Sequence, residues 1–168
     1  MKKILLMVLA VLFIYQPVVS FGQEIEIKGI SLGMSKDKFD NTIDRSGVED
    51  FTIGGVKSKY PNPLSDANFT LFYDNKLDQF VFLFDSSKFE DVLSAVKTKY
   101  PEIKCVDSEI SNAMGAKFNQ VTCILKGDNG DLGVNKFSND IKTSGLILHS
   151  NRLLKKALAK DKEQQKDI

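Results

Sequence analysis

Apolar and polar positions along the chain recur with two periods, and each period predicts an element. Phe89, Val92, Leu93, Val96 and Tyr100 fall at helical spacing and Pro101 stops the run. The stretch Ser87-Lys88-Phe89-Glu90 reads as a capping box for that helix, with Ser at the N-cap and Glu three residues on. Phe69 to Tyr73 and Leu77 to Phe84 read as a hairpin turned near Asn75-Lys76. That register puts Phe69, Leu71, Phe80, Phe82 and Phe84 on one face, expected to be the core. Thr70, Phe72, Gln79, Val81 and Leu83 fall on the other.

The remaining segments are shorter. Glu24 to Lys28 alternates as a half-buried strand. Ser35 is an N-cap for a short helix with Asp37 in its first turn, Phe39 and Ile43 on one face, and Gly47 as its stop. Phe51 to Val56 reads as a strand, and Ser58 to Asp66, with Tyr60-Pro61-Asn62-Pro63, as an irregular loop. Asp128-Asn129-Gly130-Asp131 is an Asn-Gly turn into a strand from Leu132 to Phe137. Gly145 to His149 makes a last strand, and Arg152 to Ile168 a charged helical tail with Leu154 and Leu158 as its apolar stripe.

The order predicts an α+β fold, an antiparallel sheet with two helices packed on one face. Lys38-Phe39-Asp40 and Lys88-Phe89-Glu90 recur fifty residues apart, as a duplicated helix-plus-meander unit would leave them. The organisation read from the chain is a leader over 1–22, one domain over 23–151 (divisible into halves 23–85 and 86–151) and a tail over 152–168.

The leader is a secretory signal peptide by pattern. Met1-Lys2-Lys3 is its positive start, Ile4 to Tyr15 its apolar run, and Pro17 precedes small residues with cleavage after Ser20 or Gly22. Such a run falls short of the roughly 20 residues a membrane span needs. Without Lys2 and Lys3 the 23 basic residues become 21 against 22 acidic ones, a net charge near −1. That balance gives no electrostatic footprint for nucleic acid, and no second long apolar run predicts a membrane span after cleavage. The 168 residues are 42% hydrophobic and 27% charged, the composition of a globular domain with a real core.

Cys105 and Cys123 are the chain's two cysteines. Ile103 to Ser111 and Lys117 to Lys126 both read as strands, and folding them back about Met114 sets Ile110 against Phe118 and Cys105 against Cys123. Directly opposed residues lie within disulfide reach, and an exported protein meets an oxidising compartment. A redox pair would favour closer spacing such as C-x-x-C. A zinc site would need more ligands than His149 can add.

Candidate chemistry is sparse. His149 is the single histidine, at a strand end with no nucleophile motif beside it. No carboxylate pair is marked out for acid–base work, and no P-loop, G-x-S-x-G, G-x-G-x-x-G or H-E-x-x-H occurs. Asp128-Asn129-Gly130-Asp131 lacks calcium-loop spacing, and the sequon Asn68-Phe69-Thr70 overlaps a strand. No catalytic residue, metal ligand or cofactor is therefore expected. The first hairpin is more informative, because its second face carries Phe72, Val81 and Leu83 where polar residues would ordinarily meet water. Either another element such as the tail covers them, or they form a patch for a partner together with Tyr60 of the loop.

Gly29-Ile30-Ser31-Leu32-Gly33-Met34-Ser35, opening a helix soon after the leader, resembles a pattern in small exported envelope proteins of bacteria. These are the outer-membrane assembly lipoproteins of the SmpA/BamE type and the β-lactamase-inhibitor-like proteins. In both, a similar Gly-Met-Ser/Thr step begins a helix on an antiparallel sheet, and both act by binding proteins. The resemblance spans about seven residues and the coarse topology. It implies an envelope location and a sheet-based fold. The chain departs from the pattern in lacking a lipoprotein cysteine and in having Ser46-Gly47-Val48 where a Gly-x-Pro step often ends the helix. The expectation is an exported, periplasmic or secreted, non-catalytic module that binds another envelope protein, with oligomeric state left open. The alternatives are an inhibitor or immunity-type protein, or a carboxylate-dependent hydrolase.

Overall fold

The computed structural model of the chain describes residues 22–46, 51–58, 70–111, 114–138 and 140–155. Outside them lie the leader up to residue 21, Gly47, the loop from residue 59 on with Tyr60, Phe69, and the tail from residue 156, which includes Leu158.

Two short hairpins flank the first helix. Glu26–Ile27 (β1) pairs with Ile30–Ser31 (β2) around Lys28 and Gly29, both at positive φ. Lys36–Ser46 (α1) follows, and its expected N-cap forms, with the Ser35 hydroxyl accepting from the Lys38 N–H at 3.3 Å. The segment expected as one strand is a second hairpin, Thr52–Ile53 (β3) against Val56–Lys57 (β4). Its turn residue Gly54 has φ +59°, and a Cβ there would stand 2.8 Å from the Asp91 carbonyl of the second helix, so glycine is required for both reasons.

Thr70–Tyr73 (β5), Lys76–Asp85 (β6), Lys104–Ser111 (β7), Lys117–Lys126 (β8), Gly130–Asn135 (β9) and Thr143–Ser150 (β10) form one antiparallel sheet in the order β5-β6-β10-β9-β8-β7. Between β6 and β7 runs Phe89–Lys99 (α2). The cap at its entry differs from the expected one. Asp85, rather than Ser87, accepts a backbone N–H (Ser87, 2.8 Å), and a turn of 3-10 helix over Ser86–Lys88 leads into α2.

One sheet face carries the core. Phe80, Phe82 and Phe84 of β6, Leu146 and Leu148 of β10, Leu132 and Val134 of β9, and Cys123 and Leu125 of β8 are all buried there. Phe89, Val92, Leu93 and Val96 cover this face from α2. The expectation of an α+β fold with two helices packed on the sheet is corrected here, because the protein is mainly β. Among the described side chains of α1, Phe39 is the buried one, edge-on to Phe72 and Phe80. A helix reading Lys-Asp-Lys-Phe-Asp-Asn-Thr-Ile-Asp-Arg-Ser, with two apolar residues in eleven, offers too little apolar surface to roof a sheet. The small hairpins and their flanks complete the roof with Ile25, Ile27, Ile30, Leu32, Met34, Phe51, Ile53 and Val56. Nor do the two helix-led halves repeat a unit. α1 leads into a separate hairpin and two strands of the large sheet, whereas α2 leads into four strands of it.

The N-terminal segment is tied down by side chains. The Asn129 amide brackets Ile25, accepting from its N–H at 3.0 Å and donating to its carbonyl at 3.1 Å. Tyr100 exchanges hydrogen bonds of 2.8 Å with the backbone of Glu26.

Candidate functional site

The second face of the large sheet is the surface singled out from the sequence, and its membership shifts. The β5–β6 turn forms one residue earlier than expected, at Asp74-Asn75, where φ is 48° and 60°. Asp and Asn tolerate that left-handed region better than other side chains. The register then slips between Leu71 and Phe72, so that Thr70 faces Phe80, Leu71 faces Gln79 and Phe72 faces Leu77, with Asp78 unopposed as a bulge. Phe72 therefore leaves the proposed face and packs beside the core, its ring 5.3 Å from that of Phe39. Leu71, expected in the core, turns outward and is 39% exposed.

Val81 keeps its predicted place. It heads a row running across the sheet through Ile147, Gly133, Ile124 and Lys104. At Gly133 no described atom stands within 4 Å of where a Cβ would be, so bare backbone lies at the centre of the row. Ile124 is 46% exposed. Leu83 lies in the neighbouring row but is only 3% exposed. A Cβ on its cross-strand partner Gly145 would meet the Ser138 hydroxyl and Leu83 itself, which shows the loop before β10 folded over this corner. Tyr60, the remaining member of the predicted patch, lies outside the described residues. The structure thus brings together Leu71, Val81, Ile124 and Ile147. Ile147 and Ile124 were missed because they sit on strands distant in sequence from the first hairpin. Their alternation with buried neighbours was the available signal.

His149 closes a polar row beside this patch, between Gln79 and Asp131. Burial lowers the imidazole pKa from the usual histidine range, and the Asp131 carboxylate pulls it the other way. The one buried carboxylate among the described residues is the bulge residue Asp78. It accepts from the Ser150 hydroxyl at 2.6 Å and forms an ion pair with Arg152, whose guanidinium also stacks 3.4 Å above the Tyr73 ring. Its partners occupy it structurally. The helical turn over residues 151–155 begins there, and the rest of the tail lies outside the described residues.

A cleft of about 360 Å³ lies between the β3–β4 hairpin and the start of α2, lined by Lys57, Ser58, Asp85, Lys88 and Asp91 among others. Its two carboxylates are engaged, Asp85 at the helix entry and Asp91 with Lys88 at 3.5 Å. Among the described residues no group of three or more His, Cys, Asp or Glu side chains converges to hold a metal. No helix among them is long and apolar enough to cross a membrane.

Cys105 and Cys123 are joined and directly opposed on β7 and β8, in the predicted register with Ile110 against Phe118. No protein-family profile, curated protein or solved structure matches the chain at a significant level.

Proposed function

We propose that the chain is an exported, periplasmic protein that acts without catalysis, by binding another envelope protein through the second face of its large sheet. The observation carrying this reading is the row Val81–Ile147–Gly133–Ile124, apolar and half-buried to exposed where a half-solvated antiparallel sheet ordinarily presents polar side chains. The Lys-Lys leader pattern and the cystine support the compartment, since disulfides persist in oxidising surroundings. An inhibitor or immunity-type protein is one form that such a binder takes.

Intact mass of protein from the periplasm of a Gram-negative host tests the location. Loss of residues 1–20 or 1–22, with thiols that alkylate only after reduction, is the expected result. A retained leader with free thiols refutes it. The surface is tested by capture from envelope extract. Val81→Asp and Gly133→Lys abolish recovery of the partner with an unchanged circular dichroism spectrum, whereas Phe72→Asp, which puts charge beside Phe39, lowers stability instead. Recovery undiminished by the first two variants removes this face as the contact.

A further inference from the structure

The sheet ends in an open strand. β7 lies last in the strand order, with β8 as its one neighbour, and all eight of its residues are exposed. Such an edge is a template for another strand, and proteins that gain nothing from it usually keep it short, bent or covered. This one is long, paired to β8 along its whole length, and tied to it by the Cys105–Cys123 bridge.

The disulfide also identifies the outward-pointing backbone. Cys105 and Cys123 have Cα atoms 3.9 Å apart, the close spacing of a non-hydrogen-bonded antiparallel pair. The alternation places Asp107 opposite Val121 and Glu109 opposite Asn119 in the same class. The N–H and C=O groups of Cys105, Asp107 and Glu109 therefore point away from β8, toward solvent. Side chains alternate about this edge. Val106, which is 66% exposed, and Ile110 lie on one face, and Asp107 and Glu109 on the other. Glu109 reaches Lys117 at 2.7 Å in an exposed pair, and Asp107 accepts from the Asn119 amide at 3.4 Å.

We infer that β7 receives an extended segment of a partner protein by strand addition, and that this segment alternates Lys or Arg with apolar residues. Its cations lie opposite Asp107 and Glu109 and its apolar side chains opposite Val106 and Ile110. Charge decides against a second copy of this chain. The two longest self-pairings that keep faces matched centre on Asp107 and on Ser108. The first sets Asp107 against Asp107, and the second sets Asp107 against Glu109 twice, whereas like charges directly opposed destabilise a strand pair. The apolar side chains of this edge share a sheet face with the Val81 row, which ends at Lys104. Strand addition, however, is read through the outward backbone of Cys105, Asp107 and Glu109, which the Val81→Asp and Gly133→Lys variants leave in place.

The test is fluorescence anisotropy of a labelled eight-residue peptide alternating Lys and Val, with the oxidised full chain at low salt. The comparison peptides are one with the same residues in two blocks and one alternating Glu and Val. The alternating Lys peptide is expected to bind most tightly. Asp107→Asn with Glu109→Gln should weaken it about 2- to 30-fold, from two cross-strand charge pairs. Asp107→Pro, which deletes an outward N–H but no bond to β8, should abolish binding. If that variant does not fold, slowed amide exchange at Asp107 and Glu109 of the unaltered protein on peptide addition supplies the same reading. Equal binding of the block peptide reduces the effect to charge attraction and overturns the inference. Absence of binding overturns it too, leaving the two carboxylates as guards against aggregation. A concentration-dependent dimer with protected β7 amides replaces the partner with a second copy.

Discussion

Reduction of the Cys105–Cys123 bridge isolates what holds the sheet's last strand in place. The cystine closes a loop with a sequence separation of 18 residues. The loop-closure relation then gives an entropy of about −11 cal/mol/K, or about 3 kcal/mol at 25 °C, through the unfolded chain. Little in the folded state offsets that loss, because every residue of β7 is exposed and its other edge is open. Cys123 is buried among core residues, so replacing it with Ser would add the cost of an unpartnered hydroxyl. Reduction avoids this, since a free thiol behaves as a small hydrophobe. Equilibrium urea unfolding followed by tyrosine fluorescence, with and without reductant, should show a loss of about 2–4 kcal/mol. For urea slopes of about 1–3 kcal/mol/M, this lowers the midpoint by about 0.7–4 M. The slope itself should rise, because the reduced unfolded chain exposes more surface. A loss below about 1 kcal/mol, with unchanged amide exchange along β8, would refute the loop-entropy account.

Two further outcomes follow from buried charge. Arg152→Ala strands the Asp78 carboxylate with Ser150 as its remaining partner among the bonds described above. Because the Arg152 side chain is 33% exposed, the about 3–5 kcal/mol of a fully buried pair is reduced to about 2 kcal/mol. Asp78→Asn in the same background should restore part of it, and a double-mutant coupling below about 0.5 kcal/mol would dismiss the pair. His149 has a folded-state pKa lowered by burial against the pull of Asp131, so the unfolded chain binds more protons below the unperturbed value. Its contribution to stability is complete above that value, and is lost as pH falls toward the folded pKa. Thermal unfolding should therefore show Tm falling on acidification through this window, and His149→Gln should flatten that part of the profile. An NMR titration placing the imidazole at or above its unperturbed pKa would contradict the assignment.

Much of the sheet was legible where one physical rule acted alone. The β7–β8 register followed from folding two strands back about Met114, which set Cys105 opposite Cys123, and it forms as expected. α2 was equally plain from its apolar spacing and Pro101. The first hairpin was misread because two small events combined. The turn closes at Asp74-Asn75, and the bulge at Asp78 adds a residue to one strand, which together exchange the faces of Leu71 and Phe72. Asp78 is fixed there by Ser150 and Arg152, more than seventy positions away, which no local pattern reveals. The fold class was misjudged for a related reason. Lys28-Gly29 and Gly54-Gly55 each bend a segment expected to be extended or irregular into a hairpin, and those hairpins do the roofing assigned to α1. The candidate surface was half visible: Val81 was read from its own strand, whereas Ile147 and Ile124 join it only through cross-strand pairing.

The strand order also sets when the protein is able to fold. Among the described residues β10 is the last strand in chain order, yet it lies inside the sheet with β6 on one side and β9 on the other. Its residues pair with β6 partners 58 positions away at Thr143–Asp85 (143 − 85) and 70 away at His149–Gln79 (149 − 79). Until β10 arrives, Phe80, Phe82 and Phe84 belong to a strand missing its inner neighbour, and β5–β6 and β7–β8–β9 are two separate groups of strands with nothing to join them. Contacts this distant make folding slow and late. The Phe80, Phe82 and Phe84 face therefore gains its inner neighbour only after residues 143–150 have been made.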